Sequence, residues 1–148
     1  MRRIVFLIAF SILALSAPRA AAQSRQQGTA RNMKDSLPAR VVQRAIDAFT
    51  RRDLDATFAT FDAVFTHEFL GDPAGAKRVR RAEWVQQMKS DTAIVHMMNT
   101  MKLIDVRRDV FGPYVNDVWS FRTPDGKVVK HFELLEVRNG KIVREIEG

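Results

Sequence analysis

The sequence predicts an α+β domain in which N-terminal helices pack on one face of a mostly antiparallel sheet. Apolar residues first recur at helical spacing, beginning at Leu37. Later segments alternate between apolar and polar residues and are separated by turn residues, as expected of strands. Helices followed by an antiparallel meander are typical of an α+β fold.

The first 22 residues predict a removable export signal. Two arginines precede an apolar run over 4–15, which is shorter than the about 20 residues that a spanning helix needs. Pro18 and the small residues at 20–22 predict cleavage before Gln23, giving an exported protein, periplasmic or secreted, without a stable membrane anchor. An uncleaved anchor is the alternative. The polar residues 23–36 are interpreted as a flexible spacer.

Composition limits the function of the remaining domain, 37–148. The chain has no cysteine, so a disulfide framework and a lipid attached through cysteine are not expected. The net charge is +7, but six of the 24 basic and one of the 17 acidic residues precede Leu37, leaving 18 and 16 in the domain. Because nucleic-acid binding requires a basic stripe on the fold, no nucleic-acid partner is expected.

Three helices are predicted. Ser36 caps the first, which begins at Leu37, and Asp53 caps a short second helix. The third covers 81–89 and places Trp84 on its apolar side. The apolar stripe of the first helix consists of Val41, Val42, Ala45, Ile46 and Phe49.

Five strands are predicted, and turn residues separate the last four. Asn139-Gly140 is the strongest hairpin signal. The predicted strands are 63–69, 94–106, 114–122, 127–137 and 141–147.

Three segments, in this order of elements, resemble the SnoaL-like and nuclear transport factor 2-like superfamily. They are Arg52-Asp53-Leu54-Asp55 between two helices, Phe61-Asp62-Ala63-Val64-Phe65 leading the first strand, and Arg138-Asn139-Gly140-Lys141-Ile142-Val143 in the last hairpin. The resemblance spans 37–148. It implies a strongly curved sheet that forms a cone with the helices around a mostly apolar pocket. Members include isomerases, dehydratases, polyketide cyclases and non-catalytic modules, so the resemblance does not define a reaction.

His67 and Asp117 are the first two candidate catalytic residues. The resemblance implies that His67 stands where a ketosteroid isomerase-like protein carries its base, although Ala45 replaces the tyrosine that polarises the carbonyl. Strand alternation places Asp117 on an apolar face, where a carboxyl group can serve as a general acid or base. The alternatives are a hydrogen-bonded structural histidine and an aspartate paired with an arginine.

His131, the third candidate catalytic residue, shares one strand face with Glu133, a candidate ligand-binding residue. A three-residue connection within 123–126 would place Asp117 near Glu133 and Trp119 near His131, whereas two or four residues would separate them. The sequence leaves this register open. If the faces coincide, Asp117 and His131 form an acid–base cluster, with His67 as a further candidate member; otherwise His131 and Glu133 are solvated surface residues.

Two further segments have weaker functional readings. His96, beside the run Met97-Met98-Asn99-Thr100-Met101, is a candidate ligand-binding residue, and a copper site there is less favoured than core packing. The basic run 77–81 could bind a phosphate or sulfate group, or be a solvated face. No metal or other cofactor is expected.

The function expected is binding of a small, largely apolar molecule, with Trp84, Trp119 and Phe121 as pocket walls. If the protein is an enzyme, cofactor-independent isomerisation, dehydration or cyclisation is expected, with Asp117 and a histidine exchanging the proton. The alternative is a non-catalytic binding or dimerisation module of the same fold, in which the open sheet face forms a homodimer.

Overall fold

The computed structural model describes residues 35–148. The predicted export signal lies outside the described residues, as does the predicted spacer apart from Asp35 and Ser36. Among the described residues, no helix is long and apolar enough to cross a membrane.

The described chain contains four helices and six strands, and all four helices precede the last four strands. In chain order they are α1 (Leu37–Thr50), α2 (Leu54–Phe58), β1 (Phe61–Phe69), β2 (Lys77–Arg80), α3 (Arg81–Ser90), α4 (Thr92–Thr100), β3 (Lys102–Phe111), β4 (Tyr114–Arg122), β5 (Val128–Arg138) and β6 (Lys141–Glu147). The α+β class predicted from the sequence is confirmed.

The six strands form one mixed sheet in the order β2-β1-β6-β5-β4-β3. β1 pairs with β6 in parallel, and the other neighbouring strands are antiparallel. The sheet is not closed into a barrel, so one face is left for the helices to cover. We call the face that packs against α1 the inner face, and the opposite one the outer face.

The core lies between α1 and the inner face. Ser36 caps α1 through its side chain, and the buried stripe of the helix includes the predicted Val41, Val42, Ala45 and Ile46. It packs against buried inner-face residues of the sheet, which are Phe61, Phe65, Val110, Val115, Trp119, Leu135, Val137 and Ile142. This packing holds the inner face of the central strands at a fixed distance from the helix.

The strand predicted over 94–106 is wrong in its first half. Asp91 accepts hydrogen bonds from the backbone N–H groups of Ala93 and Ile94, and α4 therefore begins at Thr92. The strand itself begins at Lys102 and continues to Phe111. The β-branched residues near the start of the segment favoured a strand, but the aspartate cap and the tertiary context override that propensity.

The basic run also contributes an element that the sequence did not predict. β2 lies at the sheet edge and pairs Arg78 and Arg80 with Thr66 and Val64 of β1. Charged side chains on a short edge strand discourage pairing with another chain, so this location suits the run.

Candidate functional site on the inner face

The register between β4 and β5 decides which candidate residues meet. Thr123 N–H donates to the carbonyl of Lys127, leaving three residues in the connection. Asp117 is therefore opposite Glu133, and Trp119 is opposite His131. Directly opposite residues in an antiparallel pair present their side chains to the same face. The sequence left this register open, and the structure has the arrangement in which the faces coincide.

Asp117 is fully buried and bound by an arginine. Its Oδ1 accepts a hydrogen bond from Nε of Arg108 at 2.8 Å, and its Oδ2 accepts one from Nη2 at 2.7 Å. Nη1 of Arg108 also donates to Gln43 and to the carbonyl of Ala39, both on α1. This is the arginine pairing that the sequence analysis gave as the alternative for Asp117. The pair joins β3 and β4 to the helix above them.

The two candidate histidines of the inner face meet at one carboxylate. Nε2 of His67 lies 2.7 Å from Oε1 of Glu147. Nε2 of His131 lies 3.3 Å from Oε2 of the same residue and 3.4 Å from Oε1 of Glu133. The ligand atoms offered by His131, Glu133 and Glu147 all lie within 4.8 Å of one another. We call His67, His131, Glu133, Glu145 and Glu147 the polar cluster.

Glu145 adds a third carboxyl group to the polar cluster. It is opposite Leu135 on β5 and His67 on β1, and only 8% of its surface is exposed. Within residues 35–148, no group donates a hydrogen bond to its carboxyl. Glu145 is thus an acidic residue that is buried beside other acids and has no direct hydrogen-bond partner in the part of the chain that the structure describes.

Burial and neighbouring charges move the pKa values of the cluster apart. Burial alone would raise the pKa of Glu147, but the imidazoles of His131 and His67 lower it to about 2. Burial alone would lower the pKa of His131, but Glu133 and Glu147 raise it to about 10. Burial raises the pKa of Glu145 well above its usual range, and the charges of Glu133 and Glu147 add to the effect. Burial likewise raises the pKa of Glu133, against the opposing effect of His131.

Aromatic residues border the polar cluster. The ring of Trp84 lies 4.5 Å from that of His67, measured between centroids. Trp119 and Phe121 stack at 5.8 Å, and Phe49 of α1 meets both edge-on. The indole nitrogen of Trp119 is buried and has no hydrogen-bond partner among residues 35–148. The three predicted walls therefore lie on or against the inner face.

His96 lies on helix α4, whereas the residues of the polar cluster lie on strands. It is exposed on α4, where its carbonyl accepts a hydrogen bond from the hydroxyl of Thr100. Of the predicted site residues, the polar cluster brings together His67, His131 and Glu133. Asp117 instead pairs with Arg108, and His96 is exposed on α4.

Sequence reasoning missed Arg108, Glu145 and Glu147. Val106, Arg108 and Val110 alternate on one face of β3, a signal that went unused because the strand was predicted to end at Val106. The two glutamates had no such signal. The register between β5 and β6 shifts next to Val137, and this irregularity places Glu145 on the same face as Ile142 despite their odd spacing.

Two surface grooves lie elsewhere on the molecule. One of about 440 Å³ is lined by the α1–α2 turn together with Lys89 and Asn99. The other, of about 390 Å³, is lined by residues of α1 and α2 and by Lys141. Neither lining includes a predicted site residue. We place the candidate site at the polar cluster because ionisable groups and aromatic walls converge there.

No protein-family model and no curated protein matches the sequence. Solved structures do resemble the fold. A protein assigned as a polyketide cyclase from Xanthomonas campestris pv. campestris has a TM-score of 0.58 at 19% identity, covering 75% of this chain and 88% of its own. One assigned as a ketosteroid isomerase from Kribbella flavida DSM 17836 has a TM-score of 0.60 at 15% identity, covering 78% and 79%. TerC, co-crystallised with polyporic acid, has a TM-score of 0.58 at 15% identity, covering 76% and 91%.

These similarities, together with the helices packed on an open mixed sheet, place the chain among the α+β folds in which helices and sheet form a cone. The chain has the nuclear transport factor 2-like fold, as the sequence resemblance predicted. Identities of this size establish the fold and leave the function to be argued from the site.

Proposed function

We propose that this protein is exported and binds a small, largely apolar molecule on the inner face, on which it performs acid–base chemistry: an isomerisation, dehydration or cyclisation. The observation that carries the proposal is the hydrogen-bonded pair of His67 and Glu147 beside Trp84. The neighbours assigned as a polyketide cyclase and a ketosteroid isomerase, and the one crystallised with polyporic acid, support a small-molecule site in this fold.

His67 is the residue we assign to proton exchange with the ligand. The hydrogen bond to Glu147 fixes which nitrogen of the ring is engaged, and contact with Trp84 fixes the plane of the ring. A general base must reach the proton that it removes in a defined orientation. These two contacts provide that orientation, and His131 on the other side of Glu147 completes the polar end of the site.

Asp117 has a supporting role in this proposal. Both of its carboxylate oxygens accept hydrogen bonds from Arg108, so its hydrogen-bonding capacity toward a ligand is reduced. The pair lies next to the cluster because Asp117 is opposite Glu133. We therefore assign Asp117 to holding β3, β4 and α1 in place beneath the site.

The test of the proposed function is hydrogen exchange at carbon. The protein is incubated in D₂O with a ketosteroid and with a polyketide-type ketone, and deuterium incorporation next to the carbonyl is followed by NMR. We expect the wild-type protein to accelerate exchange in one of them. We expect His67→Gln to slow that exchange by about 10²–10⁴-fold, the usual contribution of a positioned acid or base.

Thr66→Val is the matched control, because Thr66 adjoins His67 on β1 and alternation directs its side chain to the other face. Its exchange rate should equal that of the wild type. Exchange by His67→Gln at the wild-type rate, or no acceleration of either ketone by the wild type, would contradict the proposal.

The outer face favours a second function, association of two copies of this chain. Val118 is opposite Phe132 on β4 and β5, and Leu134 is opposite Ile146 on β5 and β6. All four side chains are half-buried in the single chain, so they form a contiguous apolar patch on the outer face. Contiguous apolar patches of this kind are typical of protein–protein contacts.

We expect the protein to sediment as a dimer. Phe132→Glu places a charge within the apolar patch and should shift the protein to a monomer in sedimentation velocity runs, with no change in the circular dichroism spectrum. Val128→Glu is the control. Val128 is 51% exposed at the start of β5, next to the β4–β5 connection, so a charge there should leave the dimer intact. A wild-type monomer would exclude this association.

A further inference from the structure

We propose that the polar cluster binds one divalent first-row transition-metal ion, such as Zn²⁺, through Nε2 of His131, Oε1 of Glu133 and Oε2 of Glu147. The inference goes beyond the proposed proton transfer and does not depend on it, because metal binding can be measured on the protein without a substrate. It rests on the spacing of these atoms, on the charge around them and on their exposure.

The spacing of the three atoms fits a shared ion better than direct hydrogen bonds. A charged N–H···O bond is about 2.7–2.9 Å long. The imidazole nitrogen of His131 is 3.4 Å from Glu133 and 3.3 Å from Glu147. Two ligands that are each about 2.1 Å from a tetrahedral zinc ion lie about 3.4 Å apart. The two separations from His131 therefore match edges of a tetrahedral coordination shell, and all three ligand atoms lie within 4.8 Å of one another.

Glu145 provides a second observation at the same place. It is 8% exposed, accepts no hydrogen bond at its carboxyl within residues 35–148, and lies opposite His67 on the face that carries Glu147. A buried polar group without a hydrogen-bond partner is costly, and an ion held by the neighbouring side chains offsets that cost.

The ligand types indicate which ions the cluster would prefer. Imidazole nitrogen favours zinc, iron, nickel and copper, whereas a set of oxygen ligands alone favours magnesium and calcium. One imidazole with two carboxylates therefore favours a transition-metal ion over Mg²⁺. The chain has no cysteine, so no thiolate competes with the one nitrogen and two oxygen donors of the cluster.

Orientation and access are also appropriate for a metal site. His67 contacts the other oxygen of Glu147 at 2.7 Å, the kind of outer contact that orients metal-binding carboxylates. The side chains of His131 and Glu147 remain 30% and 24% exposed. An ion can therefore enter from solvent and keep a coordination position for water or a ligand molecule, as catalytic zinc sites do.

The experiment is calorimetric titration of tag-free protein, first treated with EDTA and then dialysed, with ZnCl₂ and separately with MgCl₂. We expect one equivalent of Zn²⁺ to bind, and elemental analysis after gel filtration to recover it with the protein. Zn²⁺ should bind at least tenfold more tightly than Mg²⁺. His131→Gln and Glu147→Gln should each weaken Zn²⁺ binding by more than about tenfold, and His67→Gln, which removes an outer contact, by about 10–100-fold.

Glu136→Gln is the matched control, because it makes the same chemical change on β5 at a buried position paired with Arg138. It should bind Zn²⁺ as the wild type does.

Thermal melting with and without ZnCl₂ separates a lost site from an unfolded variant, since a bound ion raises the melting temperature only of a folded protein that holds it. Absence of stoichiometric zinc on the wild type would overturn the inference. Unchanged affinity in both His131→Gln and Glu147→Gln would do the same.

Discussion

Arg108→Met is expected to destabilise the protein by about 3–5 kcal/mol, the usual result of removing one partner from a buried ion pair. Asp117 is fully buried, and the side chain of Arg108 is 13% exposed. Without the guanidinium, the carboxylate is left unpaired beneath α1, and the helix also loses the hydrogen bonds that Arg108 donates to Ala39 and Gln43. Urea denaturation measures the free energy of unfolding directly.

The control is Arg107→Met, which changes the adjacent exposed residue on the other face of β3 and should alter the free energy of unfolding by less than about 0.5 kcal/mol. A double variant, Arg108→Met with Asp117→Leu, removes both charges and should recover most of the lost stability. Equal stability of Arg108→Met and the wild type would show that Asp117 is not held as the structure describes.

The helices and hairpins could largely be predicted from local sequence signals. Ser36 caps α1 as predicted, and positive φ angles at Asn139 and Gly140 form the hairpin turn predicted there. These features depend on neighbouring residues alone, so one sequence contains the information. The segment from Ile94 was predicted as a strand, whereas the cap at Asp91 begins a helix two residues earlier, at Thr92.

The candidate site could be predicted only in part, because its residues meet through sheet register. Alternation placed His131 and Glu133 on one face, and only the length of the β4–β5 connection could bring that face to Trp119. Glu145 and Glu147 reach the inner face through an irregularity between β5 and β6 that no local pattern indicates. A one-residue difference in pairing directs every later side chain to the opposite face, so the partners of such a site require the structure.

The second large effect is expected at Phe65, whose ring is buried between those of Phe61 and Trp84. The centroid distances are 4.9 Å to Phe61 and 6.4 Å to Trp84, and 1% of the residue is exposed. Phe65→Ala should lower the free energy of unfolding by about 3–5 kcal/mol, because it removes buried apolar surface and leaves a cavity. Urea denaturation followed by circular dichroism measures the loss.

Phe65 also connects the core to the candidate site, because Trp84 packs against both Phe65 and His67. Phe65→Leu keeps much of the buried volume and should cost less than about 1.5 kcal/mol. Val64→Ala, at the adjacent position with 39% exposure, should change stability by less than about 1 kcal/mol.

Because Trp84 and Trp119 are the only tryptophans in the chain, fluorescence of the folded Phe65→Leu variant reports movement on the inner face directly. An emission maximum shifted to longer wavelength would show that Phe65 positions the tryptophans of the inner face. An unchanged maximum, together with unchanged stability in Phe65→Ala, would contradict that connection.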